Sequence, residues 1–260
     1  MDLVLAIVCV VFGLLVGLAA SRFGIGGAIM AIPFFRIVLG LSGRVAIATA
    51  LPLTIPTALS GALVFHRKKL IKYKTAITAG VFGSIFSVIG AYATLMVSSD
   101  TLMVITSFMF FGLAYIVSKE KKEREKVTPA SLFQKAIRSI FIGCIAGFAS
   151  GFLGIGGGVI LVPLLMSIRH IPLKRAIPTS LATMAIYAIP GSITHYMLGN
   201  VNLDVLTFVL IGSVIGANIG AEQTSQIKEE NLKDMFVVLL VFLGGILLVY
   251  ELFLLAGILK

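Results

Sequence analysis

Apolar runs long enough to cross a lipid bilayer recur along this chain, and no other feature restricts its fold so tightly. Residues 75–97 and 235–250 approach the roughly 20 apolar residues that a spanning helix needs. Short loops separate these runs from others of the same kind. Composition matters here for one reason. Charged residues are 12% of the 260 and hydrophobic residues 58%, with a mean hydropathy of +1.09. A soluble domain carries about 25% charge. So little charge cannot cover a surface in water, and lipid must serve as part of the solvent. A soluble enzyme, a disordered chain and a disulfide-stapled secreted domain are excluded. Cys9 and Cys144 lie inside apolar runs without metal-ligand spacing and read as small packing residues.

The net charge of +10 does not indicate nucleic acid. Lys and Arg sit in the short loops between apolar segments, which is the positive-inside bias of a membrane protein and suits an anionic cytoplasmic leaflet. A secretory signal at 1–20 is not expected, because that segment carries Asp2 and no cation.

Placing Gly13 on Gly143 aligns the sequence with itself, without a gap, as far as Ala91 on Ala221. Gly13-x3-Gly17-x-Ala19 falls on Gly143-x3-Gly147-x-Ala149, and Gly24-Ile25-Gly26-Gly27 falls on Gly154-Ile155-Gly156-Gly157. Pro33 meets Pro163, and the segment 46–51 meets 176–181. Eight identities occur in the 21 positions from 13 to 33, most of them Gly or Pro, where apolar coincidence is no explanation. The chain is a tandem repeat.

Hydropathy places five spans in each half, near 3–20, 25–41, 45–65, 75–97 and 101–117, then 135–152, 156–168, 176–198, 204–221 and 235–258. With ten spans, 18 of the 21 cations share one side, leaving only Arg36, Arg44 and Lys260 opposite; without the two short segments they divide 13 to 8. The positive-inside rule therefore predicts ten spans with both termini outside. An odd number of spans per repeat forces the halves into opposite orientation. The loop at 66–74 carries five cations whereas its counterpart near 196–204 carries none and bears Asp204. The expected fold is all-α and polytopic: two inverted five-span repeats at 1–118 and 135–260, a basic cytoplasmic linker at 119–134, and short or broken helices after the Gly clusters. Inverted repeats are a hallmark of secondary transporters.

Each Gly cluster precedes a short helix, whose first N–H groups lack intrahelical partners and suit an anion. Gly24, Gly26, Gly27, Gly154, Gly156 and Gly157 are therefore candidate binding positions, and a pseudo-two-fold axis would bring them to one centre. Gly13, Gly17, Gly143 and Gly147 read instead as close-packing positions. Hydroxyls cluster at Thr49, Thr54, Thr57 and Ser60, and at Thr179, Ser180, Thr183, Tyr187, Ser192 and Thr194, with Pro52, Pro56 and Pro190 expected to break these helices. For single residues helix–helix bonding is the better reading. For Thr49, Thr179 and Ser180 an anion contact is weighed equally. Arg22, beside the first cluster, suits an oxyanion or a cytoplasmic anchor, and its counterpart is Phe152. Asn218 and Glu222 are placed along a path, Glu251 at the interface, and His66, His170 and His195 in solvated or capping roles.

The doubled pattern G-x3-G-x-A-x4-G-I-G-G-[AG]-x4-P, continuing into [AI]-x-T-[AS]-L, resembles the sulfite exporter TauE/SafE family over essentially the whole chain. The resemblance implies a permease of the cell membrane for sulfite or an organosulfonate, working by alternating access. A coupling proton and a homodimer are candidate partners, and no cofactor, resident metal or nucleic acid is implied. Three readings compete with it. A membrane-embedded enzyme would need a nucleophile, base or metal cluster at a common cavity. A carrier of another solute or a metal ion would place carboxylates at mid-membrane. A non-transporting receptor would leave the inverted repeat unexplained.

Overall fold

The computed structural model describes residues 3–119, 131–224 and 229–257. Most of the expected linker, together with Lys228 and Lys260, lies outside these. The described residues are helical, in ten helices numbered along the chain. Eight have the length and hydropathy to cross a membrane: α1 (Leu3–Phe23), α3 (Gly43–Arg67), α4 (Tyr73–Ala93), α5 (Ser99–Lys119), α6 (Leu132–Leu153), α8 (Leu173–Met197), α9 (Leu203–Thr224) and α10 (Glu229–Leu255). The other two are short. Helix α2 (Ala28–Pro33) continues as a π-helical turn over Phe34–Val38, and α7 covers Gly158–Ser167. At about 1.5 Å per residue each extends only some 15 Å.

These short helices begin later than hydropathy alone places them. Gly24, Gly26, Gly27, Gly154, Gly156 and Gly157 all have φ between 63° and 80°. That left-handed conformation is open to Gly and cannot be part of a right-handed helix. Each cluster is therefore a non-helical turn between a full-length helix and a short one. The expected breaks at proline do not occur. Helix α3 runs unbroken through Pro52 and Pro56, and α8 through Pro178 and Pro190. Neighbouring helices hold the chain helical where proline removes a donor.

Packing is reciprocal between the halves. Helix α1 lies against α9, and the pairing that the repeat makes equivalent, α6 against α4, recurs. Both contacts are made by glycines. A Cβ at Gly17 would strike the Ser213 backbone, and one at Gly147 would strike Gly83. These backbones approach so closely because small residues face each other, as expected for helices associating in lipid. Helices α3 and α8 cross at the centre, α5 packs with α10, and large apolar side chains such as Ile85, Phe108 and Phe242 point outward.

The ends of the helices define two faces. Lys72, Lys119, Arg169 and Lys233 mark a basic face. The opposite face holds the starts of α3 and α5, where a Cβ on Gly43 would lie 2.7 Å from the Ser99 carbonyl oxygen.

Candidate functional site

Thr54 and Met184 are each the twelfth residue of a 25-residue helix, so they sit halfway along α3 and α8. The two Gly turns meet there. A Cβ on Gly26 would lie 2.6 Å from Thr54 Cγ2 and 3.1 Å from Met184 Sδ. A Cβ on Gly156 would lie 2.5 Å from Thr54 Oγ1, and one on Gly158 would lie 2.6 Å from Ile25 Cα. Two clusters from opposite halves of the sequence are thus in contact at the middle of the molecule.

Equivalent hydroxyls hold the two turns. Thr57 donates to the Gly26 carbonyl at 2.9 Å, and its counterpart Tyr187 donates to the Gly156 carbonyl at 2.8 Å. Ser180 donates across the halves to the Gly24 carbonyl at 2.8 Å. With the carbonyls bound from behind, the amides are left. Among the described residues no hydrogen bond is donated by the amides of Gly26, Gly27, Ala28 and Ile29, nor by those of Gly156, Gly157, Gly158 and Val159. Thr54 Oγ1 is fully buried and also lacks a partner. Ser21, Ser87, Ser150 and Ser192 are buried and unpartnered too, but Thr54 is the one in contact with both turns.

The structure separates the other candidates from this centre. Thr49 Oγ1 accepts from the Asn202 amide at 2.9 Å, and Thr179 Oγ1 accepts from the Lys72 amide at 3.1 Å. Lys72 and Asn202 are themselves equivalent positions of the repeat, and each immediately precedes a helix, α4 and α9. Each threonine therefore caps the start of a helix in the other half. Thr179 also donates to the Arg175 carbonyl at 2.6 Å, so an anion contact at its hydroxyl would compete with a bond already made. Thr49→Val and Thr179→Val are each expected to orphan a part-buried amide and lower unfolding stability by about 0.5–1.5 kcal/mol, leaving anion affinity unchanged. Unfolding and binding measured on the same purified variants separate the two effects.

Arg22 is hydrogen-bonded to the Gln223 side chain, joining the ends of α1 and α9 on the basic face. Asn218 is exposed and donates to the Val214 carbonyl of its own helix at 3.0 Å. Neither reaches the crossing. His195, expected to be solvated or capping, is fully buried and its Nε2 lies 2.8 Å from the Gly151 carbonyl oxygen, tying α8 to α6.

One group escaped the sequence reading. Glu251, expected to reach the membrane interface, is fully buried and accepts two bonds from Arg36, at 2.6 and 3.0 Å. Arg36 also pairs with Asp100 at 3.0 Å and donates to the Leu41 carbonyl at 3.3 Å. The signal was present in the sequence, since ionisable residues at membrane depth are functional candidates by default. What was missing was the pairing of residues 215 positions apart.

A duplicated helical bundle with two glycine turns touching at its centre, beneath apolar outer surfaces, defines a polytopic membrane protein. Residues 9–247 match the sulfite exporter TauE/SafE family, and the chain belongs to it. A probable membrane transporter protein of Bacillus subtilis (strain 168), YunE, is 27% identical over 267 residues, covering 94% of this chain and 97% of the relative. A second from that organism, YdhB, is 28% identical, covering 91% and 97%. A probable membrane transporter protein of Methanocaldococcus jannaschii is 23% identical, covering 90% and 92%. No solved structure matches. This is a family of transporters, not of enzymes.

Proposed function

We propose that the protein is a secondary transporter that moves a small oxyanion, sulfite or an organosulfonate, across the cell membrane by alternating access at the crossing of its two Gly turns. The observation that carries this reading is that two Gly turns with unbonded amides both lie against Thr54, whose buried hydroxyl is unpartnered. An oxyanion leaving water must have its hydration replaced, and several weak donors can do so while still releasing it. The amides supply partial positive charge without a fixed cation, which favours brief binding over capture. Opposed orientation of the two halves would let one site face each side in turn. The basic face is then cytoplasmic and both termini lie outside.

Purified protein should bind at least one of sulfite, sulfoacetate, taurine or sulfate saturably. Thr54→Val, similar in shape but without the donor, should weaken that binding about tenfold or more, the effect of losing a hydrogen bond to a charged group. If none of the four anions binds saturably, the reading is wrong. Equal affinities in parent and variant would place the site elsewhere.

A further inference from the structure

The loop between α7 and α8 is tied to two neighbouring helices by arginines. Arg138, in the second turn of α6, donates to the Ile168 carbonyl at 3.4 Å. Arg169, the next residue of the loop, donates to Thr75 Oγ1 at the start of α4 at 3.0 Å. Two guanidiniums therefore meet where α4, α6 and the loop come together on the basic face. Both are half-buried, and neither forms an ion pair among the described residues. Arg169 Nε is buried and has no hydrogen-bond partner. Burial, and after it the charge of Arg138, holds the Arg169 guanidinium below the usual arginine range.

Packing does not demand these arginines. The offset of the repeat places Val8, Leu39 and Val205 where this junction has Arg138, Arg169 and Thr75. Leu39 and Val205 lie against the apolar core on the opposite face. The positive-inside rule accounts for cations that reach freely into water. It does not account for two that are half-buried side by side, since like charges away from water repel each other. A bound anion removes that cost.

We propose that Arg138 and Arg169 form a binding site for the phosphodiester headgroup of an anionic lipid in the leaflet on the basic face. Each guanidinium carries five donors in a fixed fork that matches phosphate oxygens, and each spends one of them on the protein. Lys135, one turn before Arg138, and Lys74, beside Thr75, are exposed and add positive potential at the same corner. A lipid fits better than a free anion because the flanks are apolar. Phe133 and Ile137 on α6, and Tyr73 and Ile77 on α4, are exposed and offer a surface for acyl chains. Basic pockets between membrane helices take lipid headgroups in this way. The phosphate would join α4, α6 and the far end of α7, the short helix that starts at the second Gly turn. This site is separate from the crossing and does not depend on the oxyanion reading.

The test titrates the full chain, purified in detergent, with phosphatidylglycerol or phosphatidylcholine and counts bound lipid by native mass spectrometry. The parent should hold phosphatidylglycerol about tenfold or more tightly than phosphatidylcholine. Arg169→Leu and Arg138→Val, which install the residues that the repeat carries at the equivalent positions, should each weaken phosphatidylglycerol about tenfold, the low end for hydrogen bonds to a charged group. Arg169→Lys keeps the charge without the fork and should fall between parent and Arg169→Leu. Arg67→Met removes an exposed cation from the same face and should change the affinity by less than about twofold. No preference for phosphatidylglycerol in the parent overturns the site, whatever the variants do. Equal losses in Arg67→Met and in the two site variants mean diffuse attraction by the whole face, and overturn it as well. Displacement of the lipid by equimolar inorganic phosphate would make the ligand a free anion and overturn the lipid assignment.

Discussion

Gly156→Leu and Gly26→Leu are expected to abolish anion transport while leaving the protein inserted in the membrane. Both residues have left-handed φ, 69° and 75°, where an L side chain costs about 1–2 kcal/mol. The added Cβ would also press on Thr54, at 2.5 Å from its Oγ1 for Gly156 and 2.6 Å from its Cγ2 for Gly26. Overpacking of this kind costs about 1–3 kcal/mol more. The sum is small beside the insertion of eight long apolar helices, so the damage falls on the crossing itself. A leucine there has to push Thr54 and the facing turn away, which displaces the unbonded amides. Gly112→Leu in α5 and Gly245→Leu in α10 are the controls, because no atom lies within 4 Å of a Cβ at either position. Transport assayed in proteoliposomes should be lost in the first pair and kept in the second. Normal flux through well-folded Gly156→Leu would falsify the central site.

Arg36→Met should be the most destabilising single substitution among those considered. It leaves the fully buried Glu251 carboxylate without its bidentate partner, and breaking one side of a buried pair costs about 3–5 kcal/mol. Glu251→Gln is milder, since the amide is neutral and Arg36 keeps Asp100. The double variant Arg36→Met/Glu251→Gln should recover much of what Arg36→Met alone loses, because no unpaired charge remains inside. Reversible unfolding in detergent measures all three. Strict additivity would show that the two side chains do not act as a pair.

The repeat, the short helices and the identity of the turn-forming glycines were legible in the sequence because each depends on local or periodic information. Glycine runs interrupt helices wherever they occur, and a fixed offset between equivalent positions survives without any knowledge of contacts. The roles of hydroxyls were not legible. Thr49 and Thr54 lie on the same helix, little more than one turn apart, yet one caps α9 and the other faces the Gly turns unpartnered. Sequence spacing gives the face of a helix but not what stands opposite it. The same holds for Arg22 and Asn218, which proximity and depth made attractive and whose partners, Gln223 and the Val214 carbonyl, lie away from the crossing.

Hydropathy and charge determine the class of this protein before any contact is known, because the free energy of placing a residue in lipid or water depends on that residue and its near neighbours. They also determine where the backbone must leave the helix, since φ near +70° is available to glycine alone at little cost. The tertiary structure decides what converges. Only packing brings Gly26 and Gly156 against the same threonine, and only packing sets Arg36 between Glu251 and Asp100. These pairings join residues up to 215 positions apart, and their energies arise from burial and geometry that no local pattern encodes.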